Sequence, residues 1–171
     1  MPNRLKDKVA IVTGGGTGIG QALAVIFARE GAKVAICGRT ASTLAETISR
    51  IEAEGGEAFY ATCDVSRADQ VDSFVRNTVQ RYGKLDVLVN NAGVRASIGD
   101  ILELTEGEWQ RTFDIDAKGT WLCSKYAIPA MRKAGGGSII MISSISAHIG
   151  QTRQGCYNAA KGAQELLMKC M

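Results

Sequence analysis

Short apolar runs rich in β-branched residues alternate along this chain with longer stretches in which apolar positions recur every three or four residues. The runs are VAIVTG (9–14), KVAICG (33–38), EAFYATCDV (57–65), LDVLVNNAG (85–93) and GSIIMISS (137–144), and each predicts a strand. Between them lie GIGQALAVIFAREG, ASTLAETISRIEAEGG, SRADQVDSFVRNTVQRYG and TEGEWQRTFDIDAKGTWLCSKYAIPAMRKAGGG, which keep a helical period and mostly end at glycine. They predict four helical segments, and a fifth begins near Tyr157. Strands that are apolar almost throughout are buried on both faces, and the intervening helices supply the cover. The expected fold is α/β, a doubly wound parallel sheet with five strands. No repeat, low-complexity segment or linker interrupts the pattern, so residues 1–171 are read as a single domain.

Composition narrows the function without naming it. A chain of 171 residues with 46% hydrophobic and 22% charged residues can bury a core without a disulfide or metal staple. A net charge of +3 without a basic run gives no support to nucleic-acid binding. The apolar run near the N-terminus breaks into glycines, unlike a signal peptide or a membrane span, so a cytoplasmic protein without a membrane partner is expected. The five cysteines are scattered and form no C-x-x-C pair, and His148 is the lone histidine. No metal site is expected.

The segment TGGGTGIG (13–20) follows the first strand and opens the first helix, the context a phosphate-binding glycine loop requires. Gly14 suits the tight turn, Gly18 lets the backbone approach a diphosphate, and Gly20 lets helix and strand pack closely, with the helix N-terminus offering amides to the anion. A nucleoside triphosphate is the poorer ligand, because Gly20 is followed by Gln21 instead of the G-K-[ST] of a P-loop. A dinucleotide is expected.

The G-x-x-x-G-x-G spacing, Asp64 and Val65 after the third strand, NNAG (90–93) after the fourth, the serines of ISS (142–144) and YNAAK (157–161) come in the order and on the elements of one family. From about Leu5 onward the chain resembles the short-chain dehydrogenases/reductases in their single-domain form, whose fold is the Rossmann fold. The resemblance implies that Asp64 and Val65 contact the adenine and that Asn91, Ala92 and Gly93 line the nicotinamide ribose side. Thr17 and Ile19 belong to the glycine loop and are counted with the cofactor-binding residues; Thr17 stands where NADP-dependent relatives often carry a basic residue. An NAD enzyme commonly has an acidic residue at the end of the second strand, roughly 20 residues beyond the glycines. Gly38 holds that position and Arg39 follows, which leaves room and a forked donor for a 2′-phosphate. NADP is expected in preference to NAD, the alternative being an Arg39 that is merely solvated.

Tyr157 and Lys161 are one helical turn apart and share a face. A phenol titrates at about 10 when unperturbed, and an adjacent cation lowers that value, which is what would make a tyrosine usable as a proton donor near neutral pH. In the family the tyrosine exchanges the hydroxyl proton, the lysine tunes it and binds the ribose, and a serine on the fifth strand positions the substrate oxygen; that serine matches Ser144, with Ser143 its neighbour. Asp116 stands where the family has an asparagine that helps hold a water-linked proton relay. A carboxylate accepts but does not donate, and its charge would partly cancel that of Lys161. The expected catalytic set is Ser144, Tyr157, Lys161 and Asp116.

The chain stops at Met171, partway along the last helix, where members of the family continue through further strands and a substrate-covering segment. The expectation is a piece of a longer enzyme whose C-terminal strands are missing. Loops 94–104 and 145–155 remain to shape the pocket, and in the second His148 and Gln151 are read as solvated, the alternative being contact with substrate. The reading is an oxidoreductase that interconverts a small-molecule ketone and secondary alcohol with NADP(H), homo-oligomeric in full-length form. 3-Oxoacyl thioesters, sugars, steroids and xenobiotic ketones are all served by these motifs, the first favoured by family frequency alone. The rival from another class is a catalytically silent dinucleotide-binding or assembly module.

Overall fold

Five parallel strands form one sheet in the order β3-β2-β1-β4-β5 in the computed structural model, which describes residues 3–94 and 98–171. The strands are β1 (Val9–Thr13), β2 (Lys33–Gly38), β3 (Ala58–Thr62), β4 (Val87–Asn90) and β5 (Ser138–Met141). The helices are α1 (Gly18–Arg29), α2 (Ala41–Ala53), α3 (Ala68–Tyr82), α4 (Glu106–Thr112), α5 (Gly119–Lys133) and α6 (Gly155–Lys169).

Alternation along the central strands sorts their side chains between two cores. Ala10, Val12, Val34 and Ile36 pack with Ala24 and Ala28 of α1 and Leu44, Ile48 and Ile51 of α2. Val9, Ile11, Ala35 and Leu88 pack with Val71, Phe74 and Val75 of α3 and Leu122, Ala127 and Met131 of α5. The central strands β2, β1 and β4 are thus buried on both sides, and this is why their runs read as continuously apolar, whereas the edge strands β3 and β5 leave Tyr60 and Ile140 exposed. The strand order reverses direction of growth between β1 and β4, so their C-terminal ends diverge into a crevice, the place where ligands bind in open α/β sheets.

The doubly wound class expected from the pattern is the one observed, but the strands are shorter than their apolar runs. The third stops at Thr62 because the Asp64 carboxylate takes up the backbone N–H and hydroxyl of Ser66, turning the chain out of the ladder. The fourth begins late, since Asp86 directs its carboxylate to the Val9 N–H at 2.8 Å. The long fourth helical segment divides into α4, a π-helical stretch Phe113–Lys118, and α5. A capping box, Thr105 with Glu108, fixes its start. π-Helical turns are rare and concentrate at functional sites, and this one carries Asp116.

Gly20 is a position where packing admits no side chain. A Cβ there would lie 2.3 Å from the Gly14 carbonyl and 2.4 Å from Asn91 Nδ2. Gly20→Ala should therefore lower stability by about 2 kcal/mol, a fall of roughly 4–8 °C in Tm for a chain of this size. Gly107, on α4 with open space around it, is the control: its change to alanine should leave Tm unchanged or raise it. Equal effects of the two changes on thermal unfolding would contradict this account of the packing.

Candidate active site

The glycine loop between β1 and α1 is pinned through its carbonyls. The buried Thr47 hydroxyl of α2 donates to the Gly15 carbonyl at 3.0 Å, and the Gln21 amide donates to the Gly16 carbonyl at 3.2 Å and to Thr47 Oγ1 at 2.9 Å. Gly14 and Gly18 take left-handed φ values of 65° and 54°, and nothing stands within 4 Å of where a Gly18 side chain would begin. Thr17 caps α1 without a side-chain hydrogen bond, so the first amides of the helix keep their donors. The result is an open cradle of backbone amides, suited to an anion.

The opposite wall comes from the end of β4. Asn91 Nδ2 donates to the Thr13 carbonyl at 2.8 Å, while the Thr13 hydroxyl oxygen accepts from the N–H groups of Asn91 at 3.0 Å and Ala92 at 2.9 Å. Asn91 therefore spends its side chain bracing the loop. Asp64 sits between the ends of β3 and α3. Burial pushes its carboxyl up, but hydrogen bonds from Ser66 and the charges of Arg39 and Arg67 outweigh that and hold it below the ordinary aspartate value.

Ser144 follows β5, and Tyr157 and Lys161 project from α6. The Lys161 ammonium lies 5.7 Å from the Tyr157 ring centroid and donates to the Ile142 carbonyl at 3.0 Å. Ser144 Oγ bonds Ser146 Oγ at 3.1 Å, and the Ser146 hydroxyl donates to Gln151 Oε1 at 2.5 Å. The neighbouring Ser143 hydroxyl donates to Glu165 Oε1 at 2.9 Å.

One cavity of about 740 Å³ joins these walls. Gly14, Thr17, Gly18, Ile19, Arg39, Asp64, Val65, Asn91, Ala92, Gly93, Ser144, Tyr157 and Lys161 all line it. Two of the expected site residues stand behind the wall. Gly20 is packed beneath the loop, and Asp116 lies under Gly93, where a Cβ would come within 2.7 Å of Asp116 Oδ1 and 3.7 Å of Lys161 Nζ. Gln151, expected to be solvated, lines the cavity instead, whereas His148 faces Glu165 at 3.2 Å. In loop 94–104, positions 95–97 lie outside the described residues.

Asp116 is fully buried. Its Oδ1 accepts from the Val94 N–H at 3.0 Å, and Oδ2 has no hydrogen-bond partner among the described residues. Burial raises its carboxyl above the ordinary value, against the opposing pull of Lys161 and the Val94 amide. Burial likewise lowers the Lys161 ammonium, and the Asp116 charge only partly offsets this. Each group disfavours its own ionisation through desolvation and supports the other's through charge.

Sequence reasoning missed Thr13, Thr47, Ser146 and Gln164, which are buried polar residues at 3% exposure or less. The available signal was a polar residue inside an apolar periodic run, such as Gln164 in GAQELLM or Thr47 in LAETISRI.

A family model described as short chain dehydrogenase matches residues 8–171. An uncharacterized oxidoreductase of Thermotoga maritima is 42% identical over 158 residues, which are 92% of this chain and 62% of that protein. Among solved structures, levodione reductase superposes with a TM-score of 0.93 at 30% identity, covering 96% of this chain and 64% of that one. NAD+-bound xylitol dehydrogenase does so at 0.95 and 28% identity, covering 98% and 64%. The chain spans about three-fifths of the length of the curated relatives it matches.

The raised Asp116 carboxyl sets the sign of a pH effect. Between the ordinary aspartate value and the raised one, the folded chain binds more protons than the unfolded chain, so this group's contribution to stability is lost as pH rises through that window. The amide of the Asp116→Asn variant has no such ionisation. In urea titrations from pH 4 to 7, Asp116→Asn should gain on the parent by about 1.4 kcal/mol for each pH unit by which the carboxyl is raised. A stability difference that does not change over that range would contradict the buried, destabilised carboxylate.

Proposed function

The chain belongs to the short chain dehydrogenase family, and from that premise we propose that it is an NADP(H)-dependent oxidoreductase acting on a ketone or secondary alcohol. The observation that carries the reading is that Ser144, Tyr157 and Lys161 open onto the same cavity as the glycine loop. The residues present fit a dinucleotide. The loop presents uncommitted amides to a diphosphate, Asp64 and Val65 form a wall for the adenine, and Gly93 with Lys161 borders the nicotinamide ribose.

Bound there, the cofactor would supply the hydride to the carbonyl carbon or remove it from the alcohol. The protein's own groups handle the proton and the oxygen. Ser144 holds the substrate oxygen, and Tyr157 gives its hydroxyl proton to that oxygen in reduction and takes it back in oxidation. Lys161, kept in place by the Ile142 carbonyl, stabilises the phenolate left by the transfer. The two solved relatives named above are a reductase and a dehydrogenase, the two directions of this exchange.

The preference for NADP rests on Gly38 and Arg39, which line the cavity where a carboxylate would repel a 2′-phosphate. NADPH should bind at least about tenfold more tightly than NADH in a fluorescence titration. Arg39→Ala should cost about tenfold or more for NADPH and leave NADH within about twofold, since hydrogen bonds to charged groups contribute roughly 1.5–3 kcal/mol. Gly38→Asp should reverse the preference. Tyr157→Phe should keep NADPH affinity within about threefold while lowering ketone reduction by about 100-fold or more. Equal binding of the two cofactors would overturn the NADP assignment, and binding without turnover of any ketone would favour a silent binding module.

A further inference from the structure

Gln164 is a polar side chain with no exposure to solvent, among the largest of the fully buried ones. A buried amide is costly unless both of its ends are paired, and here they are. Nε2 donates to Thr120 Oγ1 at 2.8 Å, and Oε1 accepts from Lys161 Nζ at 3.2 Å. Thr120 in turn donates its hydroxyl to the Asp116 carbonyl at 2.7 Å. The chain of bonds runs from the Lys161 ammonium through α6 to α5 and the π-helical stretch.

An ammonium has three N–H donors. The Ile142 carbonyl takes one and Gln164 Oε1 a second, which leaves a third donor on a residue that lines the cavity. Both acceptors are neutral, so they orient the cation without cancelling its charge. The titratable groups that face Lys161 among the described residues are Asp116 from the π-helical stretch and Tyr157 from its own helix. The end of β5 offers the Ile142 carbonyl, α5 offers Thr120 through Gln164, and the nearby Glu165 is engaged by Ser143 and His148.

We propose that Gln164 is a positioning residue, holding the Lys161 ammonium charged and with one donor aimed into the cavity. Its functional consequence rests on the oxidoreductase reading above, whereas its effect on Lys161 does not. An apolar residue of similar shape at 164 would fill the core and leave the cation short of an acceptor, and this disfavours the charged form.

The test is an NMR titration of the full chain labelled with 13Cε-lysine, with Lys161 assigned through Lys161→Arg. In Gln164→Met the Lys161 resonance should titrate lower than in the parent by roughly one pH unit, the expected effect of losing one hydrogen bond to a charge. Gln164→Glu should restore or raise it. If Gln164→Met does not fold, Thr120→Val, which strips the amide of its own anchor, should lower the titration in the same direction. An unchanged Lys161 titration in the folded variant overturns the proposal and leaves Gln164 a core residue. If the titration moves, a ketone-reduction profile whose alkaline limb falls with it in Gln164→Met extends the role to turnover. Absence of turnover in the parent would bear on the oxidoreductase reading alone.

Discussion

Thr13 and Asn91 tie the ends of β1 and β4 together, and the cleft is built outward from that tie. The two strands pair in register through Ala10, Ile11 and Val12 against Val87, Leu88 and Val89 and then part. At the parting, one threonine hydroxyl accepts two backbone amides from the β4 side while the Asn91 amide reaches back to the β1 carbonyl. The glycine loop and the NNAG turn are thereby held as one rigid unit. Gly20 lies against the same junction, so helix α1 is placed by contact with it. An open amide cradle and the facing wall of the same cavity follow from a few bonds.

Against this neutral frame stands a buried pair of opposite charges. Lys161 and Asp116 are both almost wholly removed from water, and desolvation is the largest influence on each. Such a pair is a poor source of stability, because the cost of burying charge rivals the attraction gained. It sets up a local field: the cation lies 5.7 Å from the Tyr157 ring centroid, and the carboxyl behind Gly93 moderates it. The π-helical turn is what carries Asp116 to that depth, since one extra residue in the turn re-aims the side chains that follow. The neutral carbonyls of Ile142 and Gln164 orient the ammonium.

The sheet was legible because apolar strands buried on both faces and helices of period 3.6 leave separate marks on a sequence. The loop, the NNAG turn and the Tyr157–Lys161 step were legible because glycine and spacing report local geometry directly. What could not be read arises from contacts between elements distant in the chain. Thr47 reaches Gly15 across 32 positions and Gln164 reaches Thr120 across 44, and no local pattern encodes either. The π-helical turn was hidden for a different reason, since a single inserted residue barely disturbs the periodicity of so long a helical run. Gln151 looked like an ordinary loop residue, and its bonds to Ser146 and to the Asn158 side chain hold it in the cavity wall.

The central claim is that one continuous cleft receives a dinucleotide from the glycine loop at one end to Tyr157 and Lys161 at the other. Hydrogen–deuterium exchange of the chain with and without NADPH tests it most directly. The account predicts simultaneous protection of backbone amides in 14–20, 38–40, 63–65, 91–94 and 142–161, the segments that border the cavity. Protection confined to the glycine loop, with 91–94 and 142–161 exchanging as in the free chain, would contradict it.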